Sequence, residues 1–437
     1  MDPIDLKTRP LVDPQRGLVS REIFVDAQLY AAEQERIFAT QWLFVGHVSQ
    51  VRRPGDFVVS RMGEEPVLLV RDVDGALHVF LNSCRHRGMQ VCRYDQGNAT
   101  EFACPYHGWT FDTKGRLAAV PALREGYFSE LELARWGLVE ARVADLKGSI
   151  WACWDAATPG LDEWLGDARV WIEEFFGVPD AGAGELELIA GVQKWTLPCN
   201  WKFGAENFSG DNYHNVSHAS VDQLALSPSG KAGRHQYDAI PQKPVLQNIA
   251  YAATGHSGRG ALYPPGFDFL SAYAAVPQLH AYYQRAYAAR EAQLGERARF
   301  VPHGGTIFPN MSFSNGRTSI ALWHPAGPES CEVWRYYFVP QHAPAAVKDH
   351  LRRYVIRYQG PSGLTEEDDM ENWNLAHRAS RGTIARRHPY HLAMGLGHEM
   401  AAGREPWIAR GGTVMEGVSE QNQRGYYRRW AELMGAL

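Results

Sequence analysis

The sequence predicts an α+β protein with two regions, and three observations support this prediction. Short β-strand patterns bounded by turn residues follow one another from Phe57 to Trp154. After residue 160, helix patterns and strand patterns are mixed, as is typical of α+β domains. Pro159 and Gly160 stand between the two regions and interrupt both kinds of pattern, so we expect a domain boundary there.

The first region begins with a predicted helix over residues 26–39, in which Asp26 is a candidate N-cap and apolar residues recur near helical spacing. Turn residues at Gly63-Glu64-Glu65 and Asp74-Gly75 then indicate antiparallel hairpins. The strands predicted between such turns cover residues 57–59, 66–70, 77–81 and 149–154.

The second region mixes both kinds of element. Its predicted helices cover residues 164–176, 207–218, 274–298 and 344–357, and its clearest strands cover residues 319–323 and 332–339. Separate runs of helices and strands are the basis for the α+β assignment.

Composition and motifs exclude several classes of function. Apolar residues make up 45% of the 437 residues, which allows a sizeable core. The net charge is −5 and no basic run is present, so we expect no nucleic-acid partner. No stretch of about 18 apolar residues and no leader-like start are seen, so we expect a cytoplasmic protein without membrane contact. Without a GxGxxG or P-loop motif, we expect no flavin or NAD on this chain and electrons from another protein.

Two short loops each combine one cysteine with one histidine. Cys84-Arg85-His86 follows a predicted strand, and Cys104-Pro105-Tyr106-His107 follows a short apolar segment. Two Cys on one iron and two His on the other form the ligand set of a Rieske [2Fe-2S] centre. A structural zinc site with two Cys and two His is the alternative that the same four residues would satisfy.

A second cluster of ligand types lies in the predicted 207–218 helix. In a continuous helix, Asp211, His214 and His218 share one face, and the two imidazoles can reach one metal ion. A ferrous site with two His ligands also needs an anionic ligand, for which Glu366-Glu367-Asp368-Asp369 offers candidates. Taken alone, two His on a helix are more often surface or core residues, and an acidic run is more often a solvated helix N-terminus.

Together these segments resemble the catalytic α subunits of Rieske non-heme iron aromatic-ring-hydroxylating dioxygenases, the group of naphthalene, biphenyl and phenylpropionate dioxygenases. The resemblance covers nearly the whole chain. It is carried by residues 84–88, 104–109, 206–218, 308–310 and 366–373.

The resemblance implies a small all-β Rieske domain over residues 40–157, inserted in an α+β catalytic domain that comprises residues 1–39 and 158–437 around a central antiparallel sheet. It implies one [2Fe-2S] cluster and one mononuclear Fe(II) per chain, with O2 as co-substrate. The implied cluster ligands are Cys84, His86, Cys104 and His107, and the implied iron ligands are His214, His218 and Asp369. Asp211 would link the two centres, Asn207 and Phe208 would lie beside the iron, and Trp323 and Phe308 would belong to the substrate pocket.

Two departures from the family pattern are visible. Three residues separate His214 from His218, whereas many members have four or five. Gln359 and Thr365 stand where naphthalene-type enzymes carry aromatic residues, which predicts a differently shaped or more polar pocket.

The implied activity is insertion of both atoms of O2 into an aromatic ring to give a cis-dihydrodiol. Electrons would come from a separate NAD(P)H-dependent reductase, usually through a ferredoxin, and relatives assemble with a small β subunit as α3β3 or as α3 trimers. A Rieske monooxygenase or demethylase would share both metal sites and is the alternative. A non-catalytic electron carrier would need the Rieske half alone.

Overall fold

The computed structural model describes residues 11–177, 186–189, 191–219, 221, 244–270, 273–274, 276–315, 318–401 and 410–436. The chain forms two compact units, one of Gln34–Trp164 and one of Met1–Glu33 with Leu165–Leu437. No helix in these described ranges is long and apolar enough to cross a membrane.

The smaller unit extends beyond residues 40–157 at both ends. Within it, the indole N–H of Trp42 donates to the carbonyl of Pro159 at 2.8 Å. The indole N–H of Trp164 donates to the side chain of Gln41 at 3.0 Å. These two hydrogen bonds join the beginning and the end of the unit, which places both flanking segments with its sheet.

The smaller unit, which is described throughout, contains a seven-stranded and a three-stranded antiparallel sheet. The four strands predicted in this region are confirmed, and all belong to the larger sheet. The order in the larger sheet is Leu43–His47, Ser149–Cys153, Glu140–Leu146, Leu77–Leu81, Glu65–Arg71, Asp56–Met62 and Gln96–Asn98. The order in the smaller sheet is Leu117–Ala119, Thr110–Asp112 and Glu101–Ala103.

Both Cys/His loops leave the ends of strands in these sheets. Cys84 follows strand Leu77–Leu81, and the second loop follows strand Glu101–Ala103. The buried side chain of Asn82 holds the first loop, because it accepts the amide N–H of Cys92 at 3.0 Å and donates to the Cys92 carbonyl at 2.8 Å. The loops are therefore anchored to regular structure on both sides.

In the described part of the chain, the larger unit is built around ten antiparallel strands. This central sheet and the α+β class predicted from the sequence are confirmed. The predicted strands at 319–323 and 332–339 pair directly, with Ala321 opposite Arg335. The order is Leu186–Leu188, Cys331–Pro340, Ser319–Pro325, Met311–Ser314, Phe300–Ile307, His256–Leu262, Val245–Tyr251, Thr413–Glu416 and Met400–Ala401, and Gln193–Leu197 also pairs with Cys331–Pro340. A separate small sheet joins Val12–Asp13, Leu18–Val19 and Tyr390–His391.

Helices pack on both faces of the central sheet. On one face, the hydroxyl of Thr306 donates to the carbonyl of Ala205 at 2.8 Å. On the other face, Phe175 packs edge-on against Phe338, with 6.0 Å between ring centroids. The α-helices in the described residues are α1 (Ala27–Glu33), α2 (Leu123–Tyr127), α3 (Leu161–Leu165), α4 (Arg169–Gly177), α5 (Lys202–Gly210), α6 (Pro277–Leu294), α7 (Ala345–Tyr358), α8 (Leu364–Ser380) and α9 (Gln421–Met434).

Most of the predicted helices are confirmed. Those expected at 274–298 and 344–357 correspond to α6 and α7, and the one expected at 26–39 corresponds to α1 and a π-helical turn after it. The helix expected at 164–176 is divided by a 3-10 turn into α3 and α4. The prediction of a continuous helix at 207–218 is wrong, because α5 ends at Gly210 and a separate 3-10 helix follows it.

A fully buried ion pair joins α1, α5 and α9. Nζ of Lys202 lies 2.5 Å from Oε1 of Glu33, and neither side chain is exposed to solvent. The indole N–H groups of Trp430 and Trp201 donate to the same carboxylate at 2.7 and 2.9 Å. Burial lowers the pKa of Lys202, and the Glu33 carboxylate opposes that effect. Three donors therefore satisfy one buried carboxylate and fix the beginning of α5.

Replacing Lys202 by Met should leave the Glu33 carboxylate buried without its cation. Removing one partner of a buried ion pair typically costs about 3–5 kcal/mol, so we expect the free energy of unfolding to fall by that amount. Guanidinium unfolding followed by tryptophan fluorescence measures it. A double variant, Lys202→Met with Glu33→Gln, should recover most of the loss, and an equal loss in both would show that packing, not charge, sets the cost.

Candidate metal centres

The two Cys/His loops have matching backbone geometry. In each loop the cysteine N–H donates to the carbonyl five residues later, at 2.8 Å for Cys84 and 2.7 Å for Cys104. The glycine four residues after each cysteine donates to the cysteine carbonyl at 2.9 Å. Gly88 and Gly108 adopt φ values of 75° and 73°, a conformation that favours glycine. The same turn thus presents one thiol and one imidazole from each loop.

The four donor side chains of these loops meet. Cys84 and Cys104 are buried, and the ring centroids of His86 and His107 lie 4.7 Å apart. Burial raises the pKa of the Cys84 thiol, and the adjacent Cys104 sulfur raises it further. Nδ1 of His86 is buried and has no hydrogen-bond partner among the described residues. Two adjacent cysteine sulfurs can bind one iron, and an imidazole nitrogen without a hydrogen-bond partner can bind the other. This arrangement fits a Rieske [2Fe-2S] cluster.

One edge of this centre reaches the surface of the smaller unit. His107 is exposed and stacks on Tyr106, which is 54% exposed. His86 is half-buried and stacks on the buried ring of Trp109, with 5.0 Å between centroids. The histidine side of the centre is therefore the side that another protein can approach.

The second group of donors begins where α5 ends. Helix α5 stops at Gly210, and Asp211 has φ −73° and ψ 92°, which is extended backbone. A separate 3-10 helix, Tyr213–His218, follows it. The donors expected on one continuous helix over residues 207–218 are therefore divided between a helix end and a new turn.

Two local contacts explain this interruption. The carboxylate of Asp211 accepts the N–H groups of Tyr213 at 2.9 Å and His214 at 3.1 Å, which offers the backbone an alternative to helix. A Cβ on Gly210 would lie 2.4 Å from Nδ2 of Asn422, so α9 approaches the backbone closely at this point. The chain turns there, and the turn aims His214 at α8.

His214, His218 and Asp369 converge from separate elements. Oδ1 of Asp369 lies 3.4 Å from Nε2 of His214 and 3.6 Å from Nε2 of His218. One donor atom from each of the three residues lies within 4.8 Å of the other two. Two imidazoles and one carboxylate at this spacing suit one ferrous ion with open positions.

Each histidine also faces a second carboxylate. Oδ2 of Asp211 lies 3.5 Å from Nδ1 of His214, and Oδ2 of Asp368 lies 3.1 Å from Nδ1 of His218. A carboxylate at Nδ1 holds the proton there and leaves the lone pair on Nε2. Both imidazoles are thereby oriented for a metal on the side of Asp369.

The charges around this group favour a cation. Burial lowers the pKa of His214, but the carboxylates of Asp211 and Asp369 raise it above its ordinary value. Burial raises the pKa of Asp211, but His214 and the backbone N–H groups hold it below its ordinary value. Burial, with Asp211 and Glu420 nearby, raises the pKa of Glu206 well above its ordinary value. The neighbouring ionised carboxylates would be balanced by a divalent metal.

Two of the three converging donors, His214 and Asp369, line a cavity of about 540 Å³. Asn207, which sequence reasoning placed beside the iron, lines it together with an aromatic wall that includes Trp373 and Tyr390. The cavity therefore combines a polar end at the donors with apolar walls, as a site for a planar organic substrate requires.

The three aromatic residues expected in the pocket pack against other side chains of the larger unit. Phe208 packs on the buried ring of Trp323, with 5.5 Å between centroids, and the guanidinium of Arg335 lies over Phe208 at 5.1 Å. Phe308 packs against Tyr426 of α9 at 5.2 Å. None of Phe208, Trp323 and Phe308 is among the described residues that line the 540 Å³ cavity.

Gln359 and Thr365 use their polar atoms within the protein. Gln359 is 2% exposed and accepts the hydroxyl of Ser319 at 2.7 Å. The hydroxyl of Thr365 donates to the carbonyl of Tyr358 at 2.6 Å. The polar side chains of both residues are thus hydrogen-bonded within the protein.

Comparison with known proteins assigns the chain to a family. Residues 41–139 match the model of the Rieske [2Fe-2S] domain, and residues 161–436 match that of the ring hydroxylating alpha subunit (catalytic domain). The chain belongs to the ring-hydroxylating dioxygenase α subunits. It is 39% identical to the biphenyl 2,3-dioxygenase subunit alpha of Rhodococcus jostii (strain RHA1), over 98% of this chain and 92% of that protein. It is 37% identical to a benzene 1,2-dioxygenase subunit alpha of Pseudomonas putida, over 97% and 92%.

Solved structures agree with this ring-hydroxylating dioxygenase family. Naphthalene 1,2-dioxygenase with indole bound in the active site superposes with a TM-score of 0.86 and 31% identity, covering 99% of this chain and 96% of that chain. The predicted enzyme class, an aromatic-ring-hydroxylating dioxygenase, is confirmed. The two matched domains imply a Rieske cluster and a mononuclear iron in this α subunit.

Several residues that organise the site were not given these roles by sequence reasoning. Asp368 contacts His218, and buried Glu366 pairs with buried Arg335 of the central sheet one turn before Asp369. The acidic run at 366–369 was visible in the sequence. Nothing in that run indicated which carboxylate faces the sheet, which faces His218 and which faces the cavity.

Asp369→Ala should abolish Fe(II) retention in the α subunit, because two neutral imidazoles alone hold ferrous iron weakly. Asp368→Asn should weaken Fe(II) binding only about 10- to 100-fold, since Asp368 orients a ligand without being one. Iron content after anaerobic reconstitution and gel filtration measures both effects. Equal iron loss in the two variants, or loss in Asp368→Asn alone, would move the ligand to the other carboxylate.

Proposed function

We propose that this α subunit inserts both atoms of O2 into an aromatic ring to give a cis-dihydrodiol, with iron held by His214, His218 and Asp369. The observation that carries the proposal is the convergence of these three donors, two of which, His214 and Asp369, line a cavity of about 540 Å³. When bound, the cluster supplies electrons one at a time and the ferrous ion activates O2.

The protein groups around the iron site have separate tasks in this proposal. Asp368 holds a proton on Nδ1 of His218 through a hydrogen bond, and the negative charge of Asp211, 3.5 Å from Nδ1 of His214, favours a proton there, so that both Nε2 atoms are left for the metal. Asn207, on the last turns of α5, faces the cavity from the helix that leads to His214. Trp373, four residues after Asp369 on α8, supplies an apolar wall for a ring.

Cys84, His86, Cys104 and His107 would hold the Rieske cluster. Electrons would come from a separate NAD(P)H-dependent reductase, directly or through a ferredoxin, to the exposed edge at His107. The exposure of His107 and Tyr106 supports this entry side. All six cysteines are free thiols, which supports the reducing, cytoplasmic location expected from the sequence.

The assembly we expect is α3β3, or an α3 trimer, as the resemblance implies. In that arrangement Asp211 would lie between His214 of its own chain and His107 of the partner subunit. The carboxylate of Asp211 is 25% exposed, so it can accept a further hydrogen bond. It would then orient one ligand of each centre.

The substrate we propose is an aromatic hydrocarbon of one or two rings, in keeping with the biphenyl, benzene and naphthalene dioxygenases that the chain resembles. A panel of benzene, biphenyl, naphthalene and indole, with a reconstituted reductase and ferredoxin in labelled O2, tests this. Mass spectrometry should find two labelled oxygen atoms in a dihydrodiol. One labelled atom in every product would instead identify a monooxygenase or demethylase.

Asp211→Asn, reconstituted with saturating Fe(II), should hold both metal centres and a reducible Rieske cluster while product formation falls by orders of magnitude. The neutral amide has a single acceptor oxygen, so it cannot accept a hydrogen bond from a ring nitrogen of each histidine as the charged carboxylate does. Metal analysis and a single turnover of the pre-reduced variant measure this. Product yield and rate near those of the unchanged protein would remove Asp211 from the mechanism.

A further inference from the structure

The two residues before the 3-10 helix are held to the central sheet by side chains from two neighbouring strands. Nη1 of Arg259 donates to the carbonyl of Asp211 at 2.9 Å and to Oδ1 of Asn212 at 3.0 Å. Nδ2 of Asn212 donates to Oδ1 of Asn248 at 3.3 Å. We propose that Arg259 is a positioning residue that fixes the Asp211–Asn212 peptide and, through it, the iron ligand His214.

The strand register explains why Arg259 and Asn248 act together. They are directly opposite each other in the antiparallel pair of Val245–Tyr251 and His256–Leu262. Directly paired residues point to the same face of a sheet, so both side chains reach Asn212 from one side. Asn248 is fully buried and also donates to the carbonyl of Gly417 at 3.1 Å, which limits its freedom.

The local sheet geometry also gives the guanidinium its direction. Arg259 pairs with Gly304 on its other side, and the register shifts between Arg259 and Gly260. Such an irregularity bends a strand and redirects a side chain, and it is common next to active sites. Because Gly304 has no side chain, the face beside Arg259 stays clear for the guanidinium.

The carbonyl of Asp211 needs this donor. Asp211 lies between the end of α5 and a 3-10 helix that begins at Tyr213, and no backbone N–H in the described part of the chain donates to its carbonyl. Its carboxylate is already occupied by the N–H groups of Tyr213 and His214. The Arg259 guanidinium therefore binds the carbonyl of Asp211, while the Asp211 carboxylate binds the first N–H groups of the 3-10 helix that carries His214.

The consequence concerns iron affinity. The N–H of His214 is bound to Asp211, and its Nε2 lies 3.4 Å from Asp369, so a rotation of the Asp211–Asn212 peptide would move Nε2 away from the other ligands. Residues that orient a ligand typically change metal affinity 10- to 100-fold when they are replaced. This inference rests on the proposed function, because it requires His214 to be a ligand.

Arg259→Met removes the donors and keeps most of the apolar stem. We expect the apparent dissociation constant for Fe(II), from anaerobic titration of the metal-depleted α subunit, to rise at least about tenfold. The electron paramagnetic resonance spectrum of the nitric oxide adduct of the iron should change shape, while the visible absorption of the cluster stays constant. Arg259→Lys should recover part of the affinity, because an ammonium can donate to the Asp211 carbonyl.

Arg299→Met is the matched control. Its guanidinium also donates to a backbone carbonyl of the larger unit, that of Tyr263 at 2.9 Å, and among the described residues its other side-chain partner is Glu296, away from the iron site. We expect the control to leave the dissociation constant for Fe(II) unchanged even where it lowers the melting temperature. A folded Arg259→Met protein that binds Fe(II) as tightly as the unchanged protein would overturn the inference.

Two further variants keep the test decisive if Arg259→Met does not fold. Asn212→Ala removes one of the two acceptors and should weaken Fe(II) binding in the same direction but less. Unchanged affinity in both Asn212→Ala and Arg259→Lys would also refute the role.

His214→Ala separates this inference from the proposed function. Retention of iron by His214→Ala would contradict the ligand assignment itself. Loss of iron in His214→Ala, with tight binding in a folded Arg259→Met, would contradict only the role of Arg259.

Discussion

The interruption of α5 at Gly210 is the constraint on which the iron site depends. A continuous helix would carry Asp211 and both histidines along one stripe, and the carboxylate of Asp211 would then compete with the imidazoles for the same side. In the structure the carboxylate turns back to accept the amides of Tyr213 and His214. The same side chain thus ends one helix, begins the next turn and faces Nδ1 of His214 at 3.5 Å.

Buried ionic contacts give this interruption a rigid frame. Lys202 and Glu33 hold the beginning of α5, while Arg335 and Glu366 hold the first turn of α8, from which Asp369 projects. Such pairs add little net stability compared with apolar packing, but a wrong partner or register leaves a charge buried and unpaired. Their value here is that α5, which leads to the two histidines, has one favourable position against α1 and α9, and α8, which carries Asp369, has one against the sheet.

Elements of the fold and of the site could be predicted from the sequence where the residues that determine them are close together in the chain. Asp74-Gly75 and the strands around it specify a hairpin within a few residues, and the Cys/His loops follow from spacing because each loop closes on itself. The end of α5 was not predictable, because Asn422 lies on a helix more than 200 residues away in the chain. The choice of Asp369 among four adjacent acidic residues came from family resemblance, since their roles differ only through contacts with Arg335 and His218.

The cationic side chains that position the donors lie outside the cavity wall. Lys202, Arg259 and Arg335 are not among the described residues that line the 540 Å³ cavity. Substitutions in the cavity wall can therefore alter the shape offered to a ring without moving the donors at the metal. Because Arg259 and Arg335 act from the central sheet, a substitution at a wall residue such as Trp373 or Tyr390 can change the space offered to a ring while these contacts stay in place.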